Sequence, residues 1–158
     1  MPDVPFSLSH KLNPALREYR RASATSIDAS LKPLMTDYLN NLTHRLKSEG
    51  FSGETLVLTS QGGMIEAEEM ASAPIHAINS GPSMAPIAGR YYAQLECDED
   101  SLIVADTGGT TYDVSLVRKN RIPKTRETWI GQSFRGHMTG FPSIDIKSVG
   151  AGGGSIAK

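Results

Sequence analysis

Apolar residues recur at helical spacing over one long stretch of the chain. Ile27, Leu31, Leu34, Met35, Tyr38, Leu39, Leu42 and Leu46 fall on one face of a predicted helix. Thr25 or Ser26 is placed to cap its N-terminus, and Asp28 suits the positive end of the helix dipole. Gly50 supplies a left-handed stop. Pro33 lies inside the pattern and predicts a kink or a fresh helix start. Upstream, residues Val4 to Leu12 alternate loosely and predict a short strand over Pro5 to Leu8.

A short apolar run, Glu54 to Thr59, reads as a buried strand. It leads into the loop Ser60 to Gly63, at the strand end where open α/β sheets place ligands. A helix from about Ile65 to Ala71 follows, with Glu66, Glu68 and Glu69 in solvent. Ser80-Gly81-Pro82 opens another helical stretch with Met84, Ile87, Ala88, Tyr91, Tyr92 and Leu95 on one face. Ala85, Ala88 and Gly89 keep part of that face thin, so another backbone can come close. Pro86 predicts a late start or a bend. Ser101 to Asp106 reads as a buried strand, Thr107 to Thr110 as its turn, and Thr111 to Val117 as the return strand. Lys119-Asn120 is a further tight turn. The order is an α/β pattern with some antiparallel pairing.

Composition narrows the classes. The 158 residues fit one domain or a piece of a larger one, and 39% hydrophobic with 21% charged residues is ordinary for a globular chain. A net charge of -1 gives no field favouring nucleic acid or an anionic membrane. No apolar run approaches the ~20 residues needed to span a bilayer. Met1 to Pro5 lack a basic region followed by an apolar one, so no secretory signal is expected. The lone Cys97 excludes an internal disulfide framework and fits a reducing cytoplasm. Its neighbours Glu96, Asp98, Glu99 and Asp100 disfavour a reactive thiolate.

Other charged groups read blandly. Arg118, Lys119, Arg121, Lys124 and Arg126 read as a solvated hairpin, and with only Trp129 nearby they do not suit single-stranded nucleic acid. His10, His44 and His76 show no metal spacing, and His44 lies on the polar side of the long helix. His137 sits in a predicted loop beside Arg135, where proton transfer and a plain surface histidine are both open, the second being commoner.

The informative segment is Asp106-Thr107-Gly108-Gly109-Thr110-Thr111-Tyr112-Asp113. Phosphate oxygens need donors that come close. Gly108 and Gly109 let backbone N–H groups turn inward as an anion nest, and Thr110 and Thr111 add hydroxyls. Magnesium takes oxygen ligands and keeps several waters, so one or two carboxylates suffice. Asp106, at the strand end, is placed for that role, and Asp113 either orients the metal shell or fixes the hairpin. The motif is not a P-loop: GxxxxGK[ST] is absent and the glycines lead into a strand. A plain hairpin with a Gly-Gly turn and two capping threonines is the competing reading. Gly150 to Gly154 is likewise either a source of backbone donors or a flexible loop.

Three further segments accompany this hairpin. Ser9-His10 with Asn13-Pro14 and Arg17-Glu18-Tyr19-Arg20-Arg21 lie upstream, Ser80-Gly81-Pro82 stands at a helix start, and Asp145 to Ala157 follow downstream. In this order, over nearly the whole chain, they resemble the hydantoinase/oxoprolinase family. The resemblance implies an α/β, ribonuclease-H-like fold of the actin and sugar-kinase kind, with a mixed sheet, flanking helices and ATP between two halves. Residues 1–79 would end the first half, 80–100 form the connecting helix, and 101–158 begin the second half with its phosphate hairpin. The other phosphate hairpin is expected upstream and the rest of the second half downstream. Lys147 stands where the family commonly has His, Tyr112 where it has a small residue, and Arg135 to Gly140 also depart. A histidine role does not carry over to Lys147.

The resemblance further implies a part in a cytoplasmic, ATP-dependent cyclic-amide hydrolase that phosphorylates a substrate carbonyl oxygen. Asp106 and Asp113 are the implied catalytic carboxylates, with Asp106 the magnesium ligand. Thr107, Gly108, Gly109, Thr110, Thr111, Gly152 and Gly153 are the implied ATP contacts. A ketone carboxylase subunit and a non-catalytic structural fragment are the alternatives. The expected partners are a cyclic amide or ketone and the remainder of the enzyme or a hydantoinase B-type subunit. Neither nucleic acid nor membrane is expected.

Overall fold

The long apolar period does form a helix, but it starts earlier; on its expected apolar face Ile27, Leu31, Met35, Leu39, Leu42 and Leu46 are buried or half-buried, and only Leu34 and Tyr38 are open. The computed structural model describes residues 4–156; Met1 to Asp3 and the terminal Ala157 and Lys158 lie outside the described residues. A short helix α1 (Ser9–Leu12) precedes α2 (Glu18–Ser48), so the strand expected over Pro5 to Leu8 is not formed. Arg17 flanks the start of α2 with φ 88° and no side-chain cap; Thr25 and Ser26 are interior. The Thr25 hydroxyl donates instead to the Arg21 carbonyl at 2.6 Å. α2 runs unbroken through Pro33. Its stop is as expected: Gly50 has φ 89°. Its N–H bonds Lys47 and the Phe51 N–H bonds Leu46, the paired arrangement that satisfies a helix's last carbonyls.

Ala24, Asp28 and Leu39 are the buried residues of α2, whereas Leu34 and Tyr38 are exposed. A carboxylate also lies on this buried face. Asp28 is fully buried. It accepts from the Ile75 N–H at 3.1 Å and from the Ser7 hydroxyl at 2.5 Å, and Lys32 stands 3.8 Å away. A buried charge is tolerated only with such partners. It joins α2 to the N-terminal segment and to the 3-10 turn Pro74–Ala77.

Strands β1 (Leu56–Leu58) and β2 (Met64–Glu66) form an antiparallel hairpin, followed by α3 (Ala67–Ser72). Ser60 to Gly63 is therefore a hairpin turn rather than a ligand loop of an open sheet. Met64 to Glu66, expected partly as helix, are strand because they pair with β1. Gly62, at φ 85°, turns under Ile87 and Ile144, where a Cβ would meet methyls at 3.0 and 2.8 Å. Leu39, Ala67 and Met70 form one core cluster, and Ala24, Ile75 and Phe141 another. Burying a side chain such as Met70 contributes about 1.5–3 kcal/mol.

Helix α4 (Ser80–Glu96) starts at Ser80 and continues past Pro86. Its expected apolar face is largely open: Tyr91, Tyr92 and Leu95 are exposed, and Ser83 and Pro86 are buried instead. The thin position is real but meets a strand. A Cβ on Gly89 would lie 2.6 Å from Val104 of β3 (Leu102–Thr107). No helix crosses there among the described residues.

β3, β4 (Tyr112–Val117) and a later strand form a three-stranded antiparallel sheet. Lys119 and Asn120, both at positive φ, make the tight turn after β4. β3 is not the buried strand expected: Ile103, on the face away from α4, is 73% exposed. Short strands β5 (Lys124–Thr125), β6 (Trp129–Ile130), β7 (His137–Met138) and β8 (Ser143–Ile144) pair as β5–β8 and β6–β7. β9 (Ile146–Val149) then joins β4 as the third strand. Residues 137–141 return to α2 and its approach. The Asn13 side chain donates to the Gly140 carbonyl at 3.0 Å, and a Cβ on Gly140 would strike Arg20 backbone at 2.7 Å.

His76 packs edge-on against Phe141 at 4.7 Å. Burial lowers its pKa below 6.5, with Asp28 and Glu69 opposing the shift. The folded chain therefore binds fewer protons than the unfolded one between the lowered value and 6.5. Stability should fall as pH drops through that window and level off below it. Urea unfolding midpoints across pH 5 to 8 (roughly the histidine range) check this, and His76→Gln should flatten the slope.

Candidate active site

Register decides what the candidate residues can reach. In the β3–β4 pair, Asp106 lies opposite Asp113, and in the β4–β9 pair Asp113 lies opposite Ser148. Directly opposed residues share a sheet face, so these three form a row across it. Leu102, Val104, Ser115 and Val117 continue that face toward α4. Thr107 lies opposite Tyr112 on the other face.

The two carboxylates differ. Asp113 is buried and both its oxygens are engaged. One accepts from the Ser148 hydroxyl and the other from the Thr111 hydroxyl at 3.1 Å. Asp106 is exposed, and its carboxylate has no hydrogen-bond partner among the described residues. Asp113 thus braces the hairpin, and the open oxygen ligands are those of Asp106.

The turn is closed by the Gly108 N–H donating to the Thr111 carbonyl at 2.9 Å. Neither Gly108 nor Gly109 has positive φ. The N–H groups of Gly109 and Thr110 have no acceptor among the described residues, and the Thr110 side chain is exposed. The donors left for an anion are therefore Gly109 and Thr110.

Val149, the last residue of β9, lies opposite Tyr112, the first of β4. The chain must therefore leave the sheet beside the hairpin turn. There the Gly153 N–H donates to the Gly108 carbonyl and the Gly154 N–H to the Gly109 carbonyl, each at 2.9 Å. The Gly152 N–H donates to the Ser155 hydroxyl at 3.0 Å. A Cβ on Gly152 would meet backbone at 2.7–2.8 Å, namely Gly108 O, Gly109 C and Thr110 N. The two glycine-bearing segments of the sequence are one structural unit.

The remaining candidates lie apart. His137 is on β7, exposed, opposite Ile130, rather than in a loop. Lys147 pairs with Asp145 at 2.8 Å on the surface. Cys97 is exposed and the basic residues after β4 face solvent. Ser148 and Ser155 were not singled out from sequence. The alternation of β9 around Ile146 and Ser148 was the available signal for the first; nothing local marked the second. A groove of about 830 Å³ opens between the N-terminal segment and α2, lined by Phe6, Leu8, Lys11, Asp28, Lys32 and His76. It includes no residue of the hairpin or the glycine run, and its buried carboxylate, Asp28, already has partners. The hairpin, by contrast, carries both the N–H groups and the carboxylate that lack partners among the described residues.

Among the described residues, no three His, Cys, Asp or Glu side chains form a metal cage. One or two carboxylates with waters satisfy magnesium, so an exposed Asp106 fits such an ion. No helix of the described residues is long and apolar enough to cross a membrane.

A family model described as Hydantoinase/oxoprolinase matches residues 21–158. The chain belongs to the hydantoinase/oxoprolinase family. It is 35% identical to the caprolactamase subunit alpha of Pseudomonas jessenii, covering 99% of this chain and 22% of that one. It is 33% identical to 5-oxoprolinase 1 of Arabidopsis thaliana, covering 96% of this chain and 12% of that one. Among solved structures it matches nucleotide-free acetone carboxylase with a TM-score of 0.75 at 23% identity, over 91% of this chain and 19% of that one. The fold of this mixed α/β chain is thus shared with part of that enzyme. This hydantoinase/oxoprolinase-family chain spans less than a quarter of each of the three.

Removing the brace should loosen the site's frame. Asp113→Ala leaves the Thr111 and Ser148 hydroxyls without their acceptor and should cost about 2 kcal/mol. A lowered urea midpoint with unchanged slope checks this.

Proposed function

We propose that this chain carries a phosphate-binding hairpin of an ATP-dependent enzyme, with Asp106 as its magnesium carboxylate. One observation carries the reading: the free N–H groups of Gly109 and Thr110 stand at the same end of the sheet as the unpartnered carboxylate of Asp106. The three-stranded sheet with α4 across one face suits the opening of a ribonuclease-H-like half, as in actin and the sugar kinases, with α4 as the connecting helix.

Each group has a task. Gly109 and Thr110 donate to phosphate oxygens, where fixed donors offset charge without rearrangement. Asp106 holds the cation, directly or through water. Asp113 holds Thr111 and Ser148 and thereby keeps the turn in place. Bound Mg-ATP would supply the phosphoryl group for a substrate carbonyl oxygen. An unstrained amide is a poor electrophile, and phosphorylating its oxygen creates a leaving group. The substrate class we favour is a cyclic amide, because relatives at 35% and 33% identity are named for caprolactam and 5-oxoproline. The remainder of the enzyme, or a hydantoinase B-type subunit, would complete the site.

Asp106→Asn should abolish magnesium-dependent ATP binding and leave the circular dichroism spectrum unchanged. Calorimetric titration with ATP, with and without magnesium, checks it. Unchanged ATP affinity in that variant would sink the metal role.

A further inference from the structure

We infer that the glycine run Gly152–Gly154 is a positioning element: it aims the hairpin's two free N–H groups at the phosphate site rather than contacting phosphate itself. The inference rests on the phosphate reading of the hairpin and assigns the run a role within it.

In a planar trans peptide the carbonyl and the following N–H point in opposite directions. No cis peptide is present among the described residues. The Gly108 carbonyl shares a peptide plane with the Gly109 N–H, and the Gly109 carbonyl with the Thr110 N–H. The N–H groups of Gly153 and Gly154 hold those two carbonyls, each at 2.9 Å. Holding both carbonyls on the side of the run fixes both N–H groups on the side away from it. The run's own donors are then engaged: Gly152 with Ser155, Gly153 with Gly108, Gly154 with Gly109. They have no N–H left to offer an anion.

The same geometry explains which glycine is indispensable. Gly109 has nothing within 4 Å of an added Cβ, and Gly108 has only ordinary contacts at 3.6 Å and beyond. Gly152 has three backbone atoms at 2.7–2.8 Å, and backbone cannot swing aside as a side-chain tip does. Gly150, two residues away, is in open space. Without the run, a Gly-Gly turn samples many peptide orientations, and that freedom would have to be lost on binding.

The test compares the 158-residue chain with Gly152→Ala and Gly150→Ala. Calorimetric titration with ATP and magnesium gives affinity, and amide proton–nitrogen spectra report the hairpin. Gly152→Ala should bind ATP at least about tenfold more weakly (the scale of a lost charged hydrogen bond). Its Gly109 and Thr110 amide signals should broaden or shift, while those of β3 and β4 stay. Gly150→Ala should match wild type. Wild-type affinity in Gly152→Ala overturns the positioning role and leaves the hairpin reading standing. Absence of ATP binding in all three proteins overturns the hairpin reading, and the positioning role with it. If Gly152→Ala does not fold, Ser155→Ala decides: releasing the Gly152 N–H should weaken binding a few-fold, and unchanged affinity there overturns the proposal.

Discussion

Asp113 faces two strands at once. It lies opposite Asp106 on β3 and opposite Ser148 on β9, and its carboxylate is the only acceptor that the Thr111 and Ser148 hydroxyls share among the described residues. Everything at the candidate site follows from that register. It puts Asp106 on the same face, one strand away. It also brings the end of β9 level with the start of β4, so the glycine run meets the turn. A slip of one residue would turn each of these side chains to the other face. The hydrogen bonds of Asp113 therefore do more than stabilise; they select the pairing that makes the site.

The other end of the molecule is organised around a different buried carboxylate. Asp28 gathers the N-terminal segment, α2 and the 3-10 turn Pro74–Ala77. Ser60 links this region to the sheet side, accepting from the Ser83 hydroxyl at 3.1 Å and from the Ile144 N–H at 2.8 Å. Polar contacts carry much of the assembly because the apolar clusters are small. Ile103, Leu116, Tyr91 and Leu95 meanwhile remain exposed.

Much of this is legible in the sequence. The hairpin Asp106 to Asp113, the turn at Lys119-Asn120 and the stop at Gly50 follow from local residue chemistry, and local chemistry survives tertiary context. The start of α2 and the burial of Asp28 do not, because the partners of Asp28, Ser7 and Ile75, are distant in sequence. Periodicity also puts Leu34 and Tyr38 on the apolar face that holds Leu39, and both are exposed. Ile65 and Glu66 read as the start of a helix in the sequence, but their pairing with β1 makes them strand. At the candidate site, sequence chemistry points to both glycine segments as phosphate contacts. Only the register shows that the second grips the first.

In the proposed site, phosphate would lie against two particular amides. Titrating the isotope-labelled chain with ATP and magnesium, while following every backbone amide, tests that directly. The account predicts the largest shifts at Gly109 and Thr110, with smaller changes at Gly153 and Gly154, whose N–H groups stay bonded to the hairpin carbonyls. Shifts concentrated in the groove beside Lys11, Asp28 and His76, with Gly109 and Thr110 unmoved, would contradict it.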